Sequence, residues 1–292
     1  MKLGVIFPQS EIGSDPAAIK DYAQAAEQLG YDHLLVYDHV LGAHEDRFKE
    51  LGFKPPYNYK TTFHEPMVLF GFLAAATEKL ELVTGILILP QRQTALVAKQ
   101  AAAIDVLSGG RLRLGVGIGW NMTEYETLGE NFRNRGRRVE EQVELLRQLW
   151  TNELVDFEGK YHTASQVGIN PLPVQRPIPI WMGAMAGAAV QRAARIADGW
   201  FPQLGPNADG ETAIERFHES IREAGRKVED VGIEGRISVA GGSEDRRGEM
   251  LEGWKKLGAS HVSYNTMNAG LASPQEHIDA IAEFKKLADA QS

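Results

Sequence analysis

Strand-like and helix-like segments alternate along the whole 292-residue chain, and this alternation restricts the possible folds more than any other feature. Short runs of apolar and β-branched residues are typical of strands buried on both faces, and each is followed by a longer run with helical periodicity. Eight such units in succession predict an α/β fold, a closed (β/α)8 TIM barrel that forms a single domain over residues 1–292. A doubly wound open sheet is the alternative, although such sheets usually contain fewer units.

The expected element boundaries follow from this periodicity and from capping residues. The strands are predicted at Leu3–Phe7, His33–Tyr37, Leu80–Leu89, Leu112–Ile118, Ile178–Met182, Gly199–Gln203, Ile233–Ala240 and His261–Asn265. The helices are predicted at 16–29, Pro66–Glu78, Thr94–Leu107, Arg135–Trp150, Ala186–Ala197, Glu211–Ala224, Ser243–Leu257 and Pro274–Ala288. We also expect a hairpin before the fifth strand and a long insertion, Gly42–His64, after the second strand.

The composition argues against several classes of function. The formal net charge of −8 does not suit a surface that binds nucleic acid. The absence of cysteine excludes disulfides, thiolate catalysis and cysteine-ligated metals. No apolar run approaches the ~20 residues that a membrane span requires, and the chain begins with a strand pattern too short for a signal peptide. We therefore expect a cytoplasmic protein without a membrane or nucleic-acid partner.

Acid–base side chains are scarce where the predicted strands end, which is where barrel enzymes place their chemistry. Asp38 and His39 follow the second strand, and Glu124 lies just beyond the fourth. A hydrolase or lyase usually brings together more carboxylates or histidines, so we expect a bound cofactor to supply the chemistry. No metal site is expected around His39 and His44, because that polar cluster lies in an irregular loop.

Glycines alternate at the end of the fourth predicted strand, in Gly115-Val116-Gly117-Ile118-Gly119. They would leave room for a flat ligand such as a cofactor ring. Close packing of a neighbouring strand or helix is the alternative explanation, because glycine in a strand often marks such an approach.

Short motifs occur in a fixed order along the chain: Tyr37-Asp38-His39, Leu89-Pro90-Gln91-Arg92, Leu107-Ser108-Gly109-Gly110-Arg111, Gly115 to Trp120, and Ala197-Asp198-Gly199-Trp200. In these motifs the chain resembles the bacterial luciferase-like monooxygenase superfamily. That superfamily joins FMN-dependent monooxygenases with oxidoreductases that use the deazaflavin coenzyme F420. The resemblance runs from residue 1 to about residue 202, and more loosely to the end.

The resemblance implies a place for the cofactor. Its ring system would lie over a bulge in the third strand, with a non-prolyl cis peptide near Gly85–Ile86. The ring or the ribityl chain would be lined by Gly117, Gly119 and Trp120, with Glu124 assigned to the same site; Trp120 could instead close the barrel end. The cofactor phosphate would meet the backbone of Gly183, Ala184 and Met185, because a helix N-terminus follows them.

The resemblance also implies that His39 is the catalytic residue, since family members carry a histidine near the reactive face of the flavin. An imidazole titrates near neutrality and can donate a proton or hold a substrate oxygen. Asp38 would orient the His39 ring or support the loop. A histidine that is only hydrogen-bonded at a strand end is the alternative.

Four arginines, at positions 133, 135, 137 and 138, lie at the start of the fourth predicted helix. They would either bind the anionic tail of the deazaflavin or form a solvated face paired with Glu140, Glu141 and Glu144. Two surface ion pairs are expected for Arg192 and Arg195 in the next helix.

Only about three residues, Gly241-Gly242-Ser243, separate the seventh predicted strand from its helix. Oxygen-using family members often carry a long mobile lid there, so the short loop favours simple hydride transfer. We therefore expect an F420-dependent oxidoreductase acting on a small organic substrate. The alternatives are an FMN-dependent monooxygenase served by a partner flavin reductase, and a flavin-binding protein without turnover. The resemblance also implies a homodimer.

Overall fold

A computed structural model describes residues 1–49, 52, 55–185 and 187–291 of the chain. Its strands are β1 (Lys2–Ile6), β2 (His33–Val36), β3 (Glu81–Thr84), β4 (Leu87–Ile88), β5 (Leu112–Gly117), β6 (Val155–Glu158), β7 (Thr163–Val167), β8 (Ile180–Ala184), β9 (Gly199–Pro202), β10 (Gly232–Ser238) and β11 (His261–Asn265). Its helices are α1 (Pro16–Gln28), α2 (Asp46–Lys49), α3 (Pro66–Ala76), α4 (Thr94–Ser108), α5 (Met122–Thr127), α6 (Arg135–Thr151), α7 (Gly187–Ile196), α8 (Ala208–Glu223), α9 (Glu244–Lys256) and α10 (Pro274–Ala290).

The parallel strands close into a barrel. The order around it is β3-β2-β1-β11-β10-β9-β8-β5, and pairing of Leu82 in β3 with Leu112 in β5 completes the circle. The short strand β4 continues the path of β3 after an interruption at Gly85–Ile86 and also pairs with β5. Counting β3 and β4 as one interrupted strand, the barrel has eight positions, which confirms the predicted (β/α)8 fold.

The predicted elements occur close to their expected positions. The hairpin before the fifth barrel strand is the antiparallel pair β6–β7. Helix α8 begins earlier than predicted, because the side chain of Asn207 accepts the Gly210 N–H and caps it there. The short helices α2 and α5 were not predicted. Ala186, residues 50, 51, 53 and 54 of the insertion, and Ser292 lie outside the described residues.

A buried polar network fills the barrel interior near the amino-terminal ends of the strands. The Glu234 carboxylate lies 2.6 Å from the Arg113 guanidinium and 2.9 Å from Nε2 of His33. Arg113 also binds Glu81 at 3.0 Å. Burial alone would raise the pKa of Glu234, but Arg113 and His33 hold it well below its usual range. The barrel is therefore closed at this end by paired charges, and its open mouth is the opposite end. No described helix has the length and apolar character needed to cross a bilayer.

The free energy of unfolding should decrease in acid because of His261. The ring of this residue lies 5.6 Å from the His33 ring, measured between ring centroids. Burial lowers the pKa of His261 to about 3, and Arg113 adds to the decrease. The unfolded chain, with a histidine pKa of about 6.5, therefore binds a proton that the folded chain does not. Between pH 7 and pH 5 this residue should remove about 2 kcal/mol from the free energy of unfolding.

Urea denaturation at the two pH values measures this difference. The variant His261→Asn should lose correspondingly less stability between them than the wild type. Equal losses in the two proteins would mean that His261 has the same pKa in the folded and the unfolded chain.

Candidate functional site

The strand interruption after β3 lies at the barrel mouth. The Gly85–Ile86 peptide bond is cis, as the resemblance implied. The half-buried Ile86 side chain occupies the space beside two of the predicted cofactor glycines: a Cβ on Gly117 would lie 2.6 Å from Ile86 Cδ1, and one on Gly183 would lie 3.0 Å from Ile86 Cγ2. Gly119, with φ +62°, similarly abuts Ile88. Close packing of the neighbouring strand thus accounts for these glycines, and their contact with a cofactor stays a prediction.

Asp38 ties the end of β2 to the continuation of the next strand. It is buried, and its Oδ2 accepts the backbone N–H of Ile88 at 2.9 Å. Its Oδ1 accepts from Arg92 at 2.7 Å, and Arg92 also binds Glu65, the residue that caps α3. Burial raises the pKa of Asp38, with Arg92 and the Ile88 N–H opposing the increase. Asp38 was predicted either to orient the His39 ring or to support the loop, and its contacts show support of the loop. A catalytic role for Asp38 stays a prediction.

Glu124 holds the backbone that follows His39. Its side chain is fully buried, and Oε1 accepts the N–H groups of Val40 at 3.0 Å and Leu41 at 3.1 Å. Its Oε2 accepts from the side chain of Gln91 at 3.3 Å. These contacts make Glu124 a positioning residue for the loop; its predicted contact with the cofactor is untested.

His39 lies at the mouth with one ring nitrogen engaged. Nδ1 is 2.5 Å from the hydroxyl of Tyr57 and 3.5 Å from Glu124 Oε1, and 16% of the side chain is exposed. Among the described residues, Nε2 has no hydrogen-bond partner. Burial raises the pKa of Tyr57 and the Glu124 carboxylate adds to the increase, so the Tyr57 hydroxyl keeps its proton. Tyr57 thus occupies Nδ1 and leaves Nε2 for a further contact.

An aromatic wall, formed by Phe48, Tyr57, Phe63 and Trp120, surrounds His39. Phe63 lies 4.9 Å from the His39 ring and Trp120 lies 6.4 Å from it, measured between ring centroids. The Trp120 ring also packs 5.4 Å from Tyr57 and 5.7 Å from Phe48. The structure therefore brings Trp120 and His39 together, although they are 81 positions apart in the sequence. Contact of Trp120 with a cofactor stays a prediction.

The predicted phosphate segment ends β8 and precedes α7. Gly183 is half-buried, Ala184 is buried, and its carbonyl accepts the indole N–H of Trp200 at 3.0 Å. Met185 is 77% exposed. The segment is thus anchored at Ala184 and open at Met185, which is compatible with the predicted role and does not test it.

The profile of the luciferase-like monooxygenase family matches residues 1–291. The chain belongs to this family. Its members are oxidoreductases or monooxygenases, so this luciferase-like protein is an enzyme of that kind.

Relatives of this luciferase-like protein use two different cofactors. An FMNH2-dependent dimethylsulfone monooxygenase of Pseudomonas putida is 30% identical over 261 residues, which cover 87% of this chain and 67% of the relative. An F420-dependent glucose-6-phosphate dehydrogenase of Nakamurella multipartita is 30% identical over 224 residues, covering 74% and 61% of the two chains. The solved structure of an F420-dependent secondary alcohol dehydrogenase with an F420–acetone adduct superposes with a TM-score of 0.77, at 21% identity and 97% coverage of both chains. These relatives do not single out the F420 branch.

The arginines of α6 are partly engaged in this luciferase-like chain. Arg138 pairs with Glu130, and the guanidinium of Arg135 lies 3.6 Å from the centroid of the Phe132 ring. The predicted pairing of the arginines with acidic residues of their own helix is wrong for two of those residues: Glu140 binds Arg192 and Arg195, and Glu141 binds His162. The ion pairs expected for Arg192 and Arg195 are confirmed. Binding of a cofactor tail stays a prediction.

Arg236 is a mouth residue that sequence reasoning missed. It lies inside β10. It was missed because functional residues were expected only after the ends of the strands. Its side chain nevertheless reaches the Tyr37 hydroxyl at 3.3 Å. One face of this buried strand carries the polar residues Glu234, Arg236 and Ser238. This alternation could have indicated a functional residue.

Proposed function

We propose that this protein is an F420-dependent oxidoreductase that transfers a hydride between coenzyme F420 and a small organic substrate. The observation that carries this choice over an oxygen-using enzyme is the short connection after β10. Residues 239–243 alone join β10 to α9, and three of them form a single 3-10 turn. A segment of this length cannot cover the mouth as a lid, and a hydride-transfer site does not require the exclusion of water that a reactive oxygenated flavin requires.

The residues at the mouth have the apolar character that suits a flat aromatic cofactor. Gly85 lines one small cavity with the apolar residues Leu35, Phe201 and Pro202, and Leu35 packs where a side chain at Gly85 would lie. The backbone of Gly183 to Met185 would hold the phosphate, and Gly117, Gly119 and Trp120 lie on the neighbouring strand end. When bound, F420 supplies a carbon that accepts or donates a hydride.

In this proposal His39 exchanges a proton with the substrate. Its Nδ1 is engaged by Tyr57, so proton exchange with a substrate oxygen takes place at Nε2. Glu124 and Asp38 hold the two ends of the loop that carries His39. The register of β2 and β3 pairs Val36 with Thr84, so His39 follows one strand end while Gly85 follows its neighbour.

Titration of the purified protein with F420 and with FMN, each oxidised and reduced, tests the cofactor. Trp120 in the aromatic wall provides the intrinsic fluorescence signal. We expect micromolar or tighter binding of F420 and weaker binding of FMN. Failure to bind F420 would refute the proposed function.

The second candidate is an FMN-dependent monooxygenase with a partner reductase, and the aromatic wall around His39 favours it. Phe63 and Tyr57, both from the insertion, cover one side of the mouth with apolar rings. Such a wall would shield a reactive site from water. Tight binding of reduced FMN together with oxygen uptake would make this candidate the better one.

We also propose that the protein is a homodimer that pairs through a face of α3 and α4. These helices expose several large apolar side chains: Val68 is 71% exposed, Phe72 43%, Leu96 52% and Leu107 70%. A Cβ on Gly71, in the middle of α3, would meet no atom within 4 Å. A mid-helix glycine costs stability without a steric reason inside the chain, and two copies related by a twofold axis would use the space for close helix contact.

Light scattering after gel filtration measures this prediction. The wild type should have the mass of a dimer, and Phe72→Glu should have the mass of a monomer, because it places a charge in the apolar face. Leu204→Glu, at an equally exposed apolar residue beyond β9, is the matched control and should remain dimeric. A monomeric wild type would overturn the proposal.

A further inference from the structure

Arg236 is exposed although its neighbours Gly235 and Ile237 in β10 are buried. Alternate residues of a strand share a face, and Glu234 lies inside the barrel against Arg113. Arg236 therefore points into the barrel as well, one layer nearer the mouth. Its exposure reflects the opening of the mouth and not the outer surface of the molecule.

The Arg236 side chain reaches across the mouth. Its guanidinium donates to the Tyr37 hydroxyl at 3.3 Å and lies 3.5 Å from Oε1 of Gln203. Tyr37 follows β2 and Gln203 follows β9, whereas Arg236 belongs to β10. In the barrel order β10 is four strands from β3 in either direction, so Arg236 faces the Gly85–Ile86 interruption from the opposite wall. Arg236 and Gly85 line the same small cavity.

The charge of Arg236 is not neutralised by the protein. Among the described residues, no carboxylate forms an ion pair with it, and both of its contacts are long bonds to neutral groups. The carboxylate on the same face of the strand, Glu234, is already bound by Arg113 and His33. A guanidinium has five N–H donors in a planar array that suits two oxygens of one anion, so Arg236 retains donors for a ligand.

We propose that Arg236, supported by Tyr37 and Gln203, binds an oxyanion group of the small-molecule substrate, such as a carboxylate, phosphate or sulfonate. The assignment of the ligand as the substrate rests on the proposed function; the anion site itself does not. An anion held at Arg236 places the rest of the molecule between the β10 wall and the interruption after β3. Arg236 is thus a specificity residue that selects acidic substrates.

Titration with acetate and, separately, with inorganic phosphate tests the site, at constant ionic strength kept with chloride. Intrinsic tryptophan fluorescence reports binding, and the titrations are run on the protein with and without F420. At least one anion should bind saturably to the wild type. Arg236→Met should weaken that binding about ten- to a hundredfold, the effect of losing a hydrogen bond to a charged group. Arg236→Lys should recover part of it.

Arg176→Met is the matched control, because Arg176 is an exposed arginine in the loop before β8, at the other end of the barrel. It should bind the anions as the wild type does. Equal anion binding by the wild type and Arg236→Met, or no binding by the wild type, overturns the proposal. A loss of F420 affinity in Arg236→Met without a loss of anion affinity also overturns it, because Arg236 would then belong to the cofactor site. A protein that binds the anion at Arg236 but no F420 retains the anion site and refutes only the proposed function.

Discussion

His39→Ala should lower kcat at least about a hundredfold, the usual contribution of a general acid–base group. Its affinity for the cofactor should stay close to that of the wild type. Both expectations follow from the contacts of the ring: Nδ1 is engaged by Tyr57, so Nε2 is the nitrogen left for a substrate. The measurement is steady-state turnover with a substrate found by screening, alongside a fluorescence titration of the cofactor. Unchanged turnover would remove His39 from the mechanism.

Tyr57→Phe tests the contribution of the Tyr57 hydroxyl separately from that of the His39 ring. This variant keeps the aromatic packing against Trp120 and Phe63 but loses the hydroxyl bound to Nδ1. Turnover should fall less than in His39→Ala, and the pH dependence of kcat should shift, because Nδ1 of His39 has lost its hydrogen-bond partner. A merely structural His39 would leave the pH profile unmoved in Tyr57→Phe.

The barrel could be predicted from the sequence because its strands are buried on both faces. Such strands are continuous apolar runs, and the ends of β5 and β11 were placed within one residue. Helices were recognised from periodicity and from caps such as Asp15. The four-residue α2 and the six-residue α5 are too short to show a period, so they were missed.

The site was less predictable because residue types do not reveal their partners. Tyr57 and His39 are 18 positions apart in an irregular loop, and no periodicity links them. Glu124 was recognised as a carboxylate near the mouth, but its burial against the N–H groups of Val40 and Leu41 depends on the folded loop. Arg236 was missed because the residues around it predict only a buried core strand.

The largest effect on stability is expected from Glu234→Gln, at the closed end of the barrel. Glu234 is 3% exposed and accepts from Arg113, His33 and Ser263. The substitution keeps the shape but leaves Arg113 buried with only Glu81 as a charged partner. Breaking a buried ion pair from one side typically costs about 3–5 kcal/mol, since the remaining charge stays out of water. Urea denaturation at neutral pH should show a loss of this size.

The double variant Glu234→Leu with Arg113→Met distinguishes an uncompensated charge from lost packing. Removing both charges avoids the buried unpaired guanidinium, so the double variant should be more stable than Glu234→Gln. An equal or greater loss would mean that packing of the Arg113 guanidinium on Trp181, at 4.4 Å from the ring centroid, matters more than its charge.

The pH dependence provides a third comparison for the same pair. Because the pKa of Glu234 is lowered in the folded chain, its ionised carboxylate contributes to the free energy of unfolding. This contribution is fully present above about 4.3, the pKa of an unfolded glutamate, and it is lost as the pH falls towards the folded pKa. The stability gap between the wild type and Glu234→Gln should therefore stay constant from pH 8 to about pH 5 and narrow only in stronger acid. A gap that closes already near pH 6 would mean that the ionised Glu234–Arg113 pair is not the source of the lost stability.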